Sequence, residues 1–158
     1  RRRGDLIISE TEHGFVCANA GIDLSNVETG RAALLPVDSD RSARRIRDAL
    51  THRFGVNVAV VVSDTFGRPW RRGVTDVAIG CAGLRPVVDL RGTTDALGRE
   101  LQVTEVAVVD EIASAAELVM GKADGVPVAI VRGIHPSWFG DGGVLADVVR
   151  NPEDDLFR

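Results

Sequence analysis

The chain has 158 residues, 44% apolar and 27% charged, the balance expected of a globular domain with a substantial core. Its net charge of -4 argues against a broad nucleic-acid surface, and no apolar run approaches the roughly 20 residues that span a bilayer. Two cysteines, Cys17 and Cys81, are too few for a disulfide framework and read as small buried hydrophobes, so a cytoplasmic protein is expected.

Charge is unevenly spread. The chain opens on Arg1-Arg2-Arg3, closes on "NPEDDLFR", and carries 18 arginines against a single lysine, Lys122. It starts without a methionine and runs at once into the strand-like "LIIS", from which residues before Arg1 are expected.

In chain order, "DLIISE" (5–10) and "GFVCA" (14–18) read as short strands around a turn at His13-Gly14. The turn formers Gly21, Asp23, Ser25, Asn26 and Gly30 make 19–36 a loop. "DSDRSARRIRDALTHRFG" (38–55) predicts a helix capped by Asp38, Ser39 or Asp40 and stopped by Gly55, with Ala43, Ile46, Leu50 and Phe54 on one side. "VNVAVVVS" (56–63) is a β-branched run expected of a strand covered on both faces, and "TDVAIGCAG" (75–83) fits strand or helix. "RPVVDLRG" (85–92) predicts a short strand and turn, and "TTDALGRELQ" (93–102) a polar connection. "TEVAVVDEIASAAELVMG" (104–121) predicts a second helix with Val106, Val109, Ala113, Ala116 and Met120 along one side. "VPVAIVRG" (126–133) reads as a final buried strand. The glycine- and acid-rich remainder reads as a tail or interdomain linker, giving a domain over 1–135 and a tail over 136–158. The fold class is α+β, with mixed strands and helices.

Chemistry concentrates at "VVVSDTFGRPWRRG" (60–73), where a valine run delivers Asp64 into a loop holding Arg68, Arg71 and Arg72. A carboxylate at a strand end followed by the Thr65 hydroxyl offers hard oxygens to Mg2+ or Mn2+, though Asp64 could equally cap the loop. Asp23 and Asn26 in "GIDLSN" form an Asx-turn pattern; folded toward Asp64, Asp23 would complete a carboxylate pair able to share a cation. In "VMGKADG", Gly121 and Lys122 could contact phosphate, but the spacing is not that of a Walker loop and a helix C-terminus explains it as simply. The arginines could clamp an anion, face solvent or pair with Asp76. Trp70 and Trp138 fit core or interface positions. The three histidines give no metal-ligand spacing.

Taken together, "GFVCANAGIDLSN", "ALLPVDSDRSARRIRDAL", "VVVSDTFGRPWRRGVTDVAIGCAGL" and "VTEVAVVDEIASAAELVMGKADGVPVAIVRG" resemble, in order and spacing, the coenzyme F420-0:L-glutamate ligase family, over about residues 5 to 134. The closing "NPEDDLFR" is similar to the junction in two-domain actinobacterial members, where a flavin-binding, nitroreductase-like domain follows.

The resemblance implies a GTP-dependent amide synthesis, in which the coenzyme F420-0 carboxylate is phosphorylated and the α-amine of L-glutamate attacks the acyl phosphate. Later rounds add γ-linked glutamates. It further implies two divalent cations, Mg2+ or Mn2+, with K+ as an additional candidate. Asp23 and Asp64 would hold the first cation and Thr65 would join the second. Asn26, Met120, Gly121 and Lys122 would meet the nucleotide, and Arg68 and Arg71 an anionic substrate. A homodimer is expected, with neither nucleic-acid nor membrane partner. The family's N-terminal lysine-containing section has no counterpart in these residues. Two rival classes stay open: a non-catalytic dimerisation or packing fragment, and a metal-dependent phosphohydrolase.

Overall fold

The computed structural model describes residues 2–156; Arg1 and the Phe157-Arg158 end of "NPEDDLFR" lie outside the described residues. The fold is α+β. Strands β1 (Arg2–Arg3), β2 (Leu6–Glu10) and β3 (Val16–Ala18) form an antiparallel sheet in that order. A loop then leads to helix α1 (Ser39–Phe54). Strands β4 (Val60–Gly67) and β5 (Val74–Ala82) make the long antiparallel hairpin at the centre of the molecule. Strands β6 (Val88–Asp89) and β7 (Glu105–Val106) pair at the base of an exposed arm, followed by α2 (Val108–Met120) and the single-turn α3 (Val144–Asp147).

Local chemistry accounts for the helix ends. The Asp38 carboxylate accepts the Arg41 N–H at 2.7 Å as N-cap of α1, and Gly55 closes the helix in the left-handed conformation that only glycine adopts cheaply. The buried face of α1 is narrower than its periodicity implies: Ser39, Asp40 and Ala43 are buried, whereas Ile46 and Phe54 are exposed. The helix lies close on β5, because Gly80 faces the Ser39 backbone where a Cβ would overlap it. The ambiguous 75–83 run is strand β5, and it supplies Ala78, Ile79, Cys81 and Ala82 to the core.

Three expectations are corrected. The valine strand begins at Val60, not Val56, and continues to Gly67, so Asp64 lies within β4 and not at its tip. The run at 126–133 is no buried strand: it joins none of the described sheets, and Val128 and Ile130 are 73% and 79% exposed. An apolar segment becomes a buried strand only when a sheet edge receives its backbone groups, and none of the strands described here does so.

Residues from 136 onward, expected to trail as a tail, pack into the same core. Val144 is fully buried beside Phe15, Ile79, Cys81, Leu84 and Val109, with Trp138, Leu145, Val148 and Val149 against the cluster. Phe139 bridges to Leu84. The buried Asp40 carboxylate ties the ends together, accepting N–H bonds from Cys81 (2.8 Å), Val144 (2.9 Å) and Leu145 (3.2 Å). Both cysteines are buried and free; burial pushes the Cys81 thiol up to about 12, with the Asp40 charge adding to it. No helix among the described residues is long and apolar enough to cross a membrane.

Candidate functional site

The hairpin register builds the site. Thr65 stands opposite Asp76, and Ser63 opposite Ala78, with an irregularity between Val62 and Ser63. Side chains alternate along a strand, so Ser63 and Thr65 share a face and bracket Asp76, while Asp64 projects to the other side. Ser63 Oγ donates to Asp76 Oδ2 at 2.9 Å and Thr65 Oγ1 donates to Asp76 Oδ1 at 2.8 Å. Asp76 is buried, so these two hydroxyls replace the water its carboxylate has lost. Helix α2 braces the strand from outside: Ser114 Oγ donates to the Asp76 carbonyl at 2.8 Å and accepts from Thr75 Oγ1 at 3.0 Å.

Asp64 is half-buried. Its Oδ1 accepts the Thr65 N–H at 2.7 Å, and Oδ2 finds no hydrogen-bond partner among the described residues. Burial pushes its carboxyl above the ordinary carboxylate range; the Asp23 and Asp76 charges add to this, and the Thr65 N–H and Lys122 oppose it. Asp23 behaves in the opposite sense. The Ser25 N–H and Oγ both donate to it at 2.7 Å and hold its carboxyl below the ordinary range, with Lys122 assisting. A bridge between Asp23 and Ala33 closes the loop that carries it.

Lys122 joins these pieces. It follows α2 directly after Gly121, and its Nζ donates to Thr65 Oγ1 at 2.9 Å, across 57 residues of sequence. Its backbone carbonyl accepts from Asn26 Nδ2 at 3.5 Å, 96 residues away. Asn26 adopts a left-handed φ of 53°, a conformation asparagine tolerates better than most residues. The structure therefore brings Asp23, Asn26, Asp64, Thr65, Gly121 and Lys122 together from the loop before α1, the middle of β4 and the end of α2. Met120 closes α2 beside them, half-exposed, with no polar group to add.

Arg68 and Arg71 lie in the six-residue turn between β4 and β5. Neither, nor Arg72, makes a side-chain hydrogen bond or ion pair among the described residues; the alternative of pairing with Asp76 is not realised, and that buried carboxylate accepts from Ser63 and Thr65 instead. Sequence reasoning missed the part played by Ser63 and Asp76. Registering the two halves of the hairpin across that turn would have set Thr65 against Asp76. It also passed over Ser25 as the group that fixes Asp23.

Among the described residues no cluster of three or more His, Cys, Asp or Glu side chains could enclose a metal ion. The Asp23 charge reaches Asp64, and Lys122 acts on both carboxylates while its Nζ meets Thr65 Oγ1 and its carbonyl meets Asn26. A hard cation held between Asp23 and Asp64 would have to take its other oxygens from water or a bound anion.

Residues 1–133 match the family described as F420-0:Gamma-glutamyl ligase, and the chain belongs to that family. Among curated proteins it is 52% identical over 155 residues to the coenzyme F420:L-glutamate ligase of Methanothermobacter thermautotrophicus. It is 49% identical over 157 residues to the protein of that name from Methanopyrus kandleri, and 47% over 155 residues to that of Methanocaldococcus jannaschii. Each match takes in 98% of this chain but only 61–62% of the relative, so the chain spans about three fifths of the length of the curated relatives it matches.

Proposed function

We propose that this chain is the metal- and nucleotide-handling part of a ligase that joins L-glutamate to the carboxylate of coenzyme F420-0, using GTP and passing through an acyl phosphate. The observation that carries the reading is the convergence of Asp23, Asn26, Asp64, Thr65 and Lys122 from three distant segments onto one open, acidic station. Names of close relatives supply the acceptor and the amino acid; the geometry supports the phosphate chemistry.

The donor set suits Mg2+ or Mn2+. Asp64 is a carboxylate deprived of water with an oxygen left open, and Asp23 is its like-charged neighbour, already held ionised by Ser25. A divalent ion between them relieves both the desolvation and the repulsion. Bound there, it would neutralise phosphate charge, which is most of what phosphoryl transfer asks of a protein. Asn26 and Lys122 would address the nucleotide, Gly121 would let the backbone come close, and Arg68 and Arg71, which have no side-chain partner among the described residues, would meet the anionic acceptor. The same reading carries a homodimer, supported by the apolar 126–131 segment that stands exposed in the single chain.

The test is a thermal-shift titration of the full chain with GDP, with and without Mn2+, alongside Asp64→Asn. Wild type should gain about 2.7 kcal/mol at a ligand concentration 100 times Kd, in the presence of metal only. Asp64→Asn should start out no less stable, because it removes a desolvated charge, and should gain nothing. A metal-independent shift, or an equal one in the variant, would refute the site. GDP release that ignores added glutamate would instead favour a phosphohydrolase.

A further inference from the structure

We propose that Trp70 is the platform on which the aromatic ring of the acceptor stacks, with Arg68, Arg71 and Arg72 gathered around the acceptor's anionic chain. The inference rests on the ligase reading above and goes beyond it in giving the acceptor's ring a place, at the tip of the β4–β5 hairpin.

The chain has two tryptophans, and the fold treats them oppositely. Trp138 packs against the core, whereas Trp70 is 84% exposed. Tryptophan has a large apolar surface to lose from water, so leaving one at a loop tip costs the isolated chain. Its backbone adds to the cost. At Trp70 φ is 56°, in the left-handed region that glycine enters freely and a bulky residue does not. The turn therefore exposes a large ring at a position where glycine would suit the backbone better. Strain of that kind clusters where a side chain meets a ligand.

The base of the turn is firm. Strands β4 and β5 stay paired up to Gly67 and Val74, so residues 68–73 spring from a closed ladder. Beneath them Phe66 packs edge-on to Phe15, with ring centroids 5.9 Å apart. A platform carried on such a base is largely in place before a ligand arrives, which spares the ordering cost of binding.

Charge selects the ligand. No acid lies between Asp64 and Asp76, and the segment carries three arginines in a chain whose net charge is -4. None of the three has a side-chain hydrogen bond or ion pair among the described residues. An aromatic surface among such guanidinium groups fits a flat ring that bears an anionic chain. Coenzyme F420-0 has that form, a deazaflavin ring on a side chain that ends in the reacting carboxylate. Guanine is flat as well, but its ring is neutral, and the nucleotide's charge lies on its phosphates, which the reading above gives to Asn26 and Lys122. Reach agrees with the choice. From Asp64 to Gly67 the strand advances about 10 Å, at about 3.3 Å per residue, and an acceptor stacked at the tip needs a side chain of that order to bring its carboxylate to Asp64. Holding the remote ring would fix that carboxylate for reaction.

The experiment titrates coenzyme F420-0 into the full chain by isothermal calorimetry. Trp70→Ala should bind it at least about tenfold more weakly than wild type, which is 1.4 kcal/mol, and Trp70→Phe, which keeps a flat ring, should stay within about threefold. An Arg68→Gln, Arg71→Gln variant should also bind more weakly, with the difference from wild type shrinking as salt is added. GDP affinity in the presence of Mn2+ and the sedimentation coefficient should be the same in Trp70→Ala as in wild type. No binding of F420-0 by wild type, equal affinity in Trp70→Ala, or a loss in Trp70→Phe as large as in Trp70→Ala would overturn the proposal. A parallel loss of GDP affinity would assign the ring to guanine, and a change in sedimentation would assign it to a second copy of the chain; either result overturns it too. The cation site is tested separately by Asp64→Asn, so F420-0 binding that depends on Trp70 without any GDP shift would refute the nucleotide site and leave this one standing.

Discussion

Asp110 and Asp64 are both half-buried acids whose carboxyls are raised by loss of water, yet they do different work. Asp110 stands in the first turn of α2, where its Oδ1 accepts the Ala78 N–H at 2.9 Å and pins the helix to β5. The sign of its effect on stability follows from the direction of the shift. The folded state holds the Asp110 proton more tightly than the unfolded chain, so its contribution is greatest below the ordinary value of 3.8 and is lost as pH rises through the folded value. Asp110→Asn keeps an oxygen for Ala78 and removes the titration. The variant should therefore be more stable than wild type at pH 7, by about 1 kcal/mol or less because the group is half-exposed, and the gap should close toward pH 4. Urea unfolding at the two pH values measures this, and a variant less stable at pH 7 would contradict it. Among the described residues Asp64 accepts only its neighbour's N–H, so its second oxygen has no bracing role of the kind Asp110 has.

Helix α1, strand β5 and the α3 turn are held together by one side chain. Asp40 Oδ1 accepts from Cys81 and Val144, and Oδ2 from Leu145, joining segments 41, 104 and 105 residues from it. All three donors are backbone groups with nowhere else to go once α3 is docked. Asp40→Ala should leave them unsatisfied and cost roughly 3–5 kcal/mol, with a fall in Tm on the order of 10 °C. Asp40→Asn should lose less, since its one oxygen still serves Cys81 and Val144. Thermal unfolding followed by circular dichroism would decide, and equal losses in the two variants would mean that packing, not hydrogen bonding, carries the joint.

For the whole molecule, the distribution of apolar surface is the unusual quantity. The core closes around Ile79, Cys81, Leu84, Val109 and Val144, while Val128 and Ile130 stand exposed two residues apart. Two exposed apolar side chains at that spacing line one face of any extended segment, which is what a partner strand or sheet would cover. The full chain should sediment at twice its monomer mass at micromolar concentration, and a Val128→Lys, Ile130→Lys variant should sediment as a monomer with its circular dichroism unchanged. A wild-type monomer under those conditions would rule the homodimer out.

The sequence by itself determined what depends on neighbours a few residues away. Asp38, Gly55 and the apolar spacing between them specify α1; the alanine-rich run closed by Gly121 specifies α2, although its start falls at Val108 because Val106 is drawn into β7. The family resemblance also marked Asp23, Asn26, Asp64, Thr65 and Lys122, which residue type and spacing alone left open between ligand and cap. Only the tertiary structure decided which groups face each other. The Thr65–Asp76 and Thr65–Lys122 bonds span 11 and 57 residues, and the docking of Val144 on Asp40 spans 104, distances over which no local propensity acts. The same holds for 126–133, whose composition is that of a strand but whose burial depends on a sheet edge that must come from elsewhere. Composition sets what a segment can bury, and pairing decides whether it is buried at all.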